Sequence, residues 1–135
     1  MAKPLLTDFV SSIDAYVEGR INVGTHLRFA HAETVIPLAC LLRIPSLCDQ
    51  GIHSSELYTY ENHRWRGDQV APMAANIQWE IYQHENDSNE ILIRMLYNEM
   101  EVRFKDDCKP LTTNSYFYEF NELKRAYAAQ LLPMN

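Results

Sequence analysis

The sequence has little that would tie it to nucleic acid, a bilayer or a disulfide framework. Its formal net charge is −6, which excludes a broad basic surface for nucleic-acid backbones. Any anion it holds must meet positive charge gathered locally. No apolar run approaches the roughly 20 residues needed to span a membrane. The start, Met1 to Asp8, lacks the long apolar core of a secretion signal, so the chain as written is expected in the cytoplasm. Its cysteines, Cys40, Cys48 and Cys108, are odd in number, so at least one stays unpaired within a monomer. Cys40 lies in an apolar stretch and is expected in the core. Cys48 and Cys108 fall in expected loops and can pair only in an oxidising compartment. There is no repeat, low-complexity tract or charge block. At 135 residues, 47% hydrophobic and 22% charged, residues 1–135 supply one domain with one core.

What is present is a series of periodic segments. Residues 4–18 bring Leu5, Leu6, Phe9, Val10, Ile13, Tyr16 and Val17 to helical spacing, with Pro4 suited to the first turn and Gly19 to the stop. Residues 26–30 read as a short strand. Residues 33–43 read as a mostly buried helix that tolerates Pro37 only near its first turn and ends at Ile44-Pro45. Residues 45–71 lack a clear period and are expected as a long loop. Alternation over 73–83 sets Ile77, Trp79 and Ile81 on one face of a strand, with Trp79 in the core. Asn86–Asn89 reads as a turn, followed by strands over Glu90–Tyr97 and Met100–Phe104 joined at Asn98-Glu99. Residues 118–132 read as a helix with Phe120, Leu123, Tyr127 and Leu131 on one stripe, closed by Pro133. The order helix, strand, helix, loop, three strands, helix predicts a mixed α/β layer. Strand 26–30 feeding helix 33–43 reads as half of a βαβ unit, but the chain has too few strands for a complete parallel sheet.

The chemistry concentrates where that strand becomes a helix. In Leu27–Thr34, His31 and Glu33 stand two residues apart, with Ala32 between them. A residue opening a helix sits among unpaired backbone N–H groups at the positive end of the helix dipole, and a phosphate oxygen suits that place. His31 can donate a hydrogen bond to it beside the Ala32 backbone. Glu33, if protonated, can hand its proton to a departing alkoxide. A free glutamic acid titrates at about 4.3, so acid solution or burial has to keep that proton on. Phosphomonoester cleavage further requires a nucleophile and several cations around the phosphate oxygens. The plain alternative is a core histidine followed by a first-turn acid that the dipole favours.

Other constellations are thinner. His-x-Glu also occurs in zinc deaminases, whose chemistry needs a Pro-Cys-x-x-Cys pair. Here only Pro45-Ser46-Leu47-Cys48 comes near it, with a single cysteine. His26 and His31 fall across a strand and turn and are expected to point apart. His53, His63 and His84 fall in loops or at a strand end. Ser54-Ser55 has no hydrolase elbow around it. Tyr58, Tyr60 and Trp65 either form a ring-binding surface or pack the long loop onto the core. Arg64 and Arg66 read as loop surface charges, with contact to an anion as the alternative.

Residues 27–42 resemble the carboxy-terminal active-site segment of the histidine acid phosphatases. They are most similar to the multiple inositol polyphosphate phosphatase, phytase-like branch, which has His-Ala-Glu where ordinary acid phosphatases and many phytases have His-Asp. Lys3–Phe9 resembles the family's helix ahead of that segment, and Pro72–Gln78 a strand after it. Ile91–Phe104 with Cys108 resembles its paired strands and following cysteine, and the helix around Phe120–Leu123 its terminal helix. The likeness runs in order over nearly the whole chain. It implies an α/β core with an added helical domain, phosphate binding by His31, proton donation by Glu33, and neither metal nor other cofactor.

The same resemblance implies a nucleophilic histidine in an amino-terminal Arg-His-Gly-x-Arg-x-Pro motif, attacked phosphate passing through a phosphohistidine that water hydrolyses. No Arg-His-Gly occurs here. Asn62-His63-Arg64-Trp65-Arg66-Gly67 has the wrong order and place. The chain therefore reads as the carboxy-terminal part of a hydrolase of inositol phosphates or other phosphomonoesters, inactive until an amino-terminal half complements it. The alternative is a non-catalytic module that kept the fold and binds phosphate or another protein. A longer precursor of the family's kind would be periplasmic or secreted. Apolar surfaces left uncovered, and an unpaired strand edge beside 26–30, lead to the expectation of a homodimer or higher oligomer, with no nucleic acid or membrane as partner.

Overall fold

Helix α1 (Ala2–Val17) turns Leu6, Val10, Ile13 and Ala15 inward in the computed structural model, which describes residues 2–45, 47, 57, 59–61, 65–131 and 133, apart from the side chains of 88 and 89. Leu6, Val10 and Ile13 recur every three or four positions and so share one face, with Ala15 at its edge. Gly19 follows at φ 69°, the left-handed conformation that glycine adopts without a Cβ penalty. Helix α2 (Ala32–Leu42) buries Leu38, Ala39 and Leu42. Its end is closed by Arg43 at φ 50°, where glycine is usual. The Arg43 and Ile44 N–H groups donate to the Cys40 and Ala39 carbonyls at 3.1 and 3.3 Å, and Ile44 is buried beneath them. Helix α3 (Gly67–Val70) is a single turn.

A four-stranded antiparallel sheet follows, made of β1 (Ile77–His84), β2 (Asp87–Tyr97), β3 (Met100–Val102) and β4 (Phe117–Glu119). Strand β2 is its centre. It pairs with β1 along nearly its full length, from Ile77 opposite Tyr97 to His84 opposite Asp87. On its other edge it pairs with β3 through Met95–Tyr97 and with β4 through Leu92–Arg94. The period of two sends Ile91, Ile93, Met95 and Tyr97 to one face, where all four are buried. Helix α4 (Phe120–Tyr127) continues directly from β4. One hydrophobic cluster joins the inner faces of α1, α2 and α4 to the odd-numbered residues of β2 and to Phe104, Cys108 and Tyr118. Trp79, opposite Met95, packs edge-on between Phe9 and Phe104, with ring centroids 5.4 and 5.3 Å away. No helix among the described residues is long and apolar enough to cross a membrane.

The architecture is thus mixed α+β, with four helices among the described residues. Several expectations need correction. Residues 26–30 are not a strand: they run without regular structure. No backbone–backbone hydrogen bond involves residues 22–30 among the described residues. A strand exists only against a neighbour, and the described residues do not supply one. Cys40 is exposed, not core. Helix α2 is apolar nearly all round, so composition alone does not say which stripe faces inward. Pro37 sits in the second turn of α2 rather than its first and the helix continues through it. Strand β1 begins at Ile77 because Pro72–Ala75 forms a turn, Ala75 N–H donating to the Pro72 carbonyl at 3.0 Å. Ile81 is 43% exposed where β1 runs past the core. The second strand starts at Asp87, earlier than the turn signal indicated. Strand β4 takes residues that alternation did not mark, which delays α4 to Phe120, and α4 stops at Tyr127.

Candidate functional site

His31 is the N-cap residue of α2, with extended backbone at φ −112° and ψ 174°. Its carbonyl accepts from the N–H groups of Thr34 and Val35 at 2.9 and 3.1 Å. Its imidazole makes no capping bond. The N–H groups of Ala32 and Glu33 come before any intrahelical acceptor, so they open outward from the first turn. Glu33 is the acid of that turn, set at the positive end of the dipole. Pro37 has no N–H to return to the Glu33 carbonyl, which leaves the first turn one bond short. His31, Ala32 and Glu33 are all exposed. Neither the cavity of about 470 Å³ lined by Asp14, Glu90, Glu119 and Lys124 among others, nor the smaller one at Tyr82, His84 and Leu92, includes them. Among the described residues the helix start is therefore an exposed polar ledge. A histidine, two outward amides and a carboxyl stand exposed on it.

What leads the chain to this ledge is Arg28, which the sequence reading left without a role. Its guanidinium pairs with the Asp8 carboxylate, donates to Ser12 Oγ at 3.0 Å and lies 4.7 Å over the Phe9 ring centroid. Asp8 and Ser12 are one turn apart on α1, so they present a single receptor face. Arg28 thereby pins the extended segment to α1 three residues before His31. The partners lie 16 and 20 positions away in sequence. The only sequence-level signal is that Arg28 occupies the alternate positions opposite Leu27 and Phe29.

The remaining candidates stay apart from the ledge or outside the described residues. His26 is exposed. His84 Nδ1 accepts from the Asn86 N–H at 3.2 Å and shapes the β1–β2 turn. Trp65 packs against the core. Arg66 lies 3.6 Å over the Tyr60 ring and donates to the Tyr60 and Trp65 carbonyls at 2.6 and 2.8 Å, so it staples its loop to itself. Cys48, His53, Ser54, Ser55, Tyr58, His63 and Arg64 lie outside the described residues. Among the described residues no three His, Cys, Asp or Glu side chains come together as a metal site would need.

Comparison with known proteins places this chain in a family. Residues 2–98 match the histidine phosphatase superfamily, branch 2. The chain is 28% identical over 85 residues to multiple inositol polyphosphate phosphatase 1 of Dictyostelium discoideum, a match covering 63% of this chain and 13% of that protein. It is similar to the crystal structure of Bifidobacterium longum multiple inositol polyphosphate phosphatase with inositol hexasulfate, at TM-score 0.77 and 42% identity over 95% of this chain. The phosphate complex of the same enzyme gives TM-score 0.78 and 41% identity. In both, this chain covers 26% of the solved chain, so it corresponds to a part of each relative. The family match takes in His31 and Glu33 and extends over well more than half of the sequence: this chain belongs to branch 2 of the histidine phosphatase superfamily.

Proposed function

We propose that this chain is the carboxy-terminal, proton-donating portion of a phosphomonoester hydrolase whose substrates include inositol polyphosphates. The observation that supports this most is the placing of His31 and Glu33 together at the open first turn of α2, within the stretch that matches the family. In this reading His31 and the outward amide of Ala32 hold a phosphate oxygen at the positive end of the helix. A histidine nitrogen outside this chain attacks phosphorus. The P–N bond forms as the P–O ester bond breaks, and Glu33 gives its proton to the leaving alkoxide. Water then cleaves the phosphohistidine. The cations that gather the phosphate oxygens come with the nucleophile, because among the described residues the ledge offers a histidine and backbone amides.

The chain alone then lacks the attacking group. Purified protein is expected to leave p-nitrophenyl phosphate intact at acid and neutral pH; robust turnover that disappears in Glu33→Ala overturns this. The complementary experiment joins the chain to the unmatched part of the Bifidobacterium longum enzyme in place of that enzyme's own matched quarter. The joined protein is expected to release phosphate from inositol hexakisphosphate, and Glu33→Gln to lower kcat by about 10²–10⁴. An unchanged kcat in that variant rules out the proton-donor role.

A further inference from the structure

The two halves of α2 are supported unequally. Leu38, Ala39 and Leu42 join the cluster that holds Leu6, Val10 and Ile13 of α1. The first turn has no such base: Ala32 and Glu33 are exposed, and Pro37 returns no N–H to the Glu33 carbonyl. Phe29 is 94% exposed and Ala30 is exposed too, so burial does not steer the last two residues before His31. Among the described residues the nearest fixed point is Arg28, and it is fixed in direction as well as place. Its guanidinium lies 4.7 Å over the Phe9 ring centroid, which sets its plane, while Asp8 and Ser12 take its N–H groups. Phe9 in turn meets Trp79 edge-on, so the ring under the guanidinium is rooted in the sheet. The pair with Asp8 is partly exposed, 26% on the Arg28 side chain and 56% on that of Asp8, and adds little to stability. What it contributes is geometry.

His31 stands at ψ 174°. Rotation about its Cα–C bond carries the backbone nitrogen and Cβ round together, because both are bonded to Cα. The path by which the chain enters the helix and the direction of the imidazole are therefore one variable. We infer that Arg28 is a positioning residue: by tying the entering chain to Asp8, Ser12 and Phe9 it fixes ψ at His31, and so aims the imidazole beside the outward amides of Ala32 and Glu33. This deepens the functional reading above and rests on it for the phosphate that imidazole and amides share. Arg28 does not itself meet that phosphate, since its charge is already taken by Asp8. Using Arg28 instead as a direct cation for the anion gives the opposite sign at Asp8. Removing Asp8 would then free the charge and tighten phosphate binding, whereas removing the receptor of a positioning residue loosens it.

NMR on the full chain, with inorganic phosphate as the probe, tests this. In wild type, phosphate is expected to shift the His31 imidazole and the Ala32 amide together. Arg28→Ala and Asp8→Ala are each expected to weaken that binding by about tenfold, the scale on which loss of an orienting partner acts. Both are also expected to move the scalar couplings that report ψ at His31 toward averaged values, while melting close to wild type. Wild-type phosphate affinity in either variant, unmoved couplings, or tighter phosphate in Asp8→Ala overturns the inference. Should either variant fail to fold, Ser12→Ala, which removes one bond and no charge, is expected to move the couplings in the same direction, and unmoved couplings there overturn it equally. The two readings fail separately. Couplings that move with Arg28 and Asp8 in a chain that takes no phosphate leave the positioning and remove the phosphate ledge. Phosphate bound equally by wild type and both variants does the reverse.

Discussion

The Tyr127 hydroxyl donates a 2.6 Å hydrogen bond to the main-chain carbonyl of Leu42. It joins the last helix of the fold to the last turn of the helix that begins at His31. The ring is buried beside Phe104, 6.2 Å between centroids, and burial pushes its phenol well above the ordinary range. Both ends of α2 are thus determined from outside it: the start by Arg28, which is held by Asp8 and Ser12 of α1, the end by Tyr127 on α4.

Removing that hydroxyl strands a buried carbonyl. Tyr127→Phe keeps the ring and its packing, so the loss is the bond and the unmet acceptor, about 1–2 kcal/mol. Urea denaturation is expected to show a lower midpoint with an unchanged slope. A midpoint equal to wild type would mean that solvent reaches the Leu42 carbonyl.

Acid is expected to weaken the fold at Glu122. Its carboxylate accepts from Arg125 Nε and Nη2, both at 2.7 Å, and from the Lys109 N–H at 2.8 Å. The Arg125 guanidinium, and then the Lys109 amide, hold its carboxyl down at about 2. An unfolded glutamate titrates at about 4.3. The unfolded chain therefore takes up the proton first, and the stability that Glu122 supplies is full above that value and drains away as pH falls toward 2. Glu122→Gln is expected to flatten part of the melting-temperature profile between pH 5 and 2. The remaining slope includes Glu80, which Arg94 and Tyr82 also hold below the carboxylate range.

The cysteines are expected to react unequally. Cys40 is exposed on the outer face of α2, while Cys108 is buried and its thiol is pushed up to about 12, chiefly by burial. Iodoacetamide on the native protein, read by peptide mass mapping, is expected to label Cys40 quickly and Cys108 only after unfolding. Equal rates at the two would mean that the β3–β4 connection opens readily.

The centre of the sheet is expected to be the least forgiving place. Ile93 is fully buried between Ile81 and Tyr118 in register. Ile93→Ala is expected to cost about 2–5 kcal/mol and Ile93→Val about 0.5–1.5 kcal/mol, by lost transfer energy and the cavity left behind. Leu27→Ala, in water, is expected to stay within about 0.5 kcal/mol of wild type. Chemical denaturation of the three variants checks the order.

Much of this arrangement is legible in the residues. Leu6, Val10 and Ile13 announce α1, and the alternation around Trp79 and through Ile91–Tyr97 announces β1 and β2, because a buried face imposes its period locally. The ledge is legible for the same reason: a histidine and an acid at a helix start need only their own neighbours to be placed there. Strand β4 is three residues long and owes its existence to pairing with Leu92–Arg94, which no local pattern records. Cys40 is exposed against expectation because a helix apolar on nearly every side does not say which side is in.

By itself, then, the order of residues determined α1, α2 and the body of α4, the central hairpin and the presence of His31 beside Glu33, through short-range spacing and turn chemistry, while the single turn α3 lies where a loop was expected. Only the tertiary structure decided that Arg28 reaches back to Asp8 and Ser12, that Tyr127 closes on Leu42, and that Leu27 and Phe29 are exposed on a segment with no strand partner among the described residues. Those outcomes depend on which surfaces meet across the chain. A strand, in particular, is a property of two segments, so one sequence can specify its pattern while its formation waits on what lies alongside.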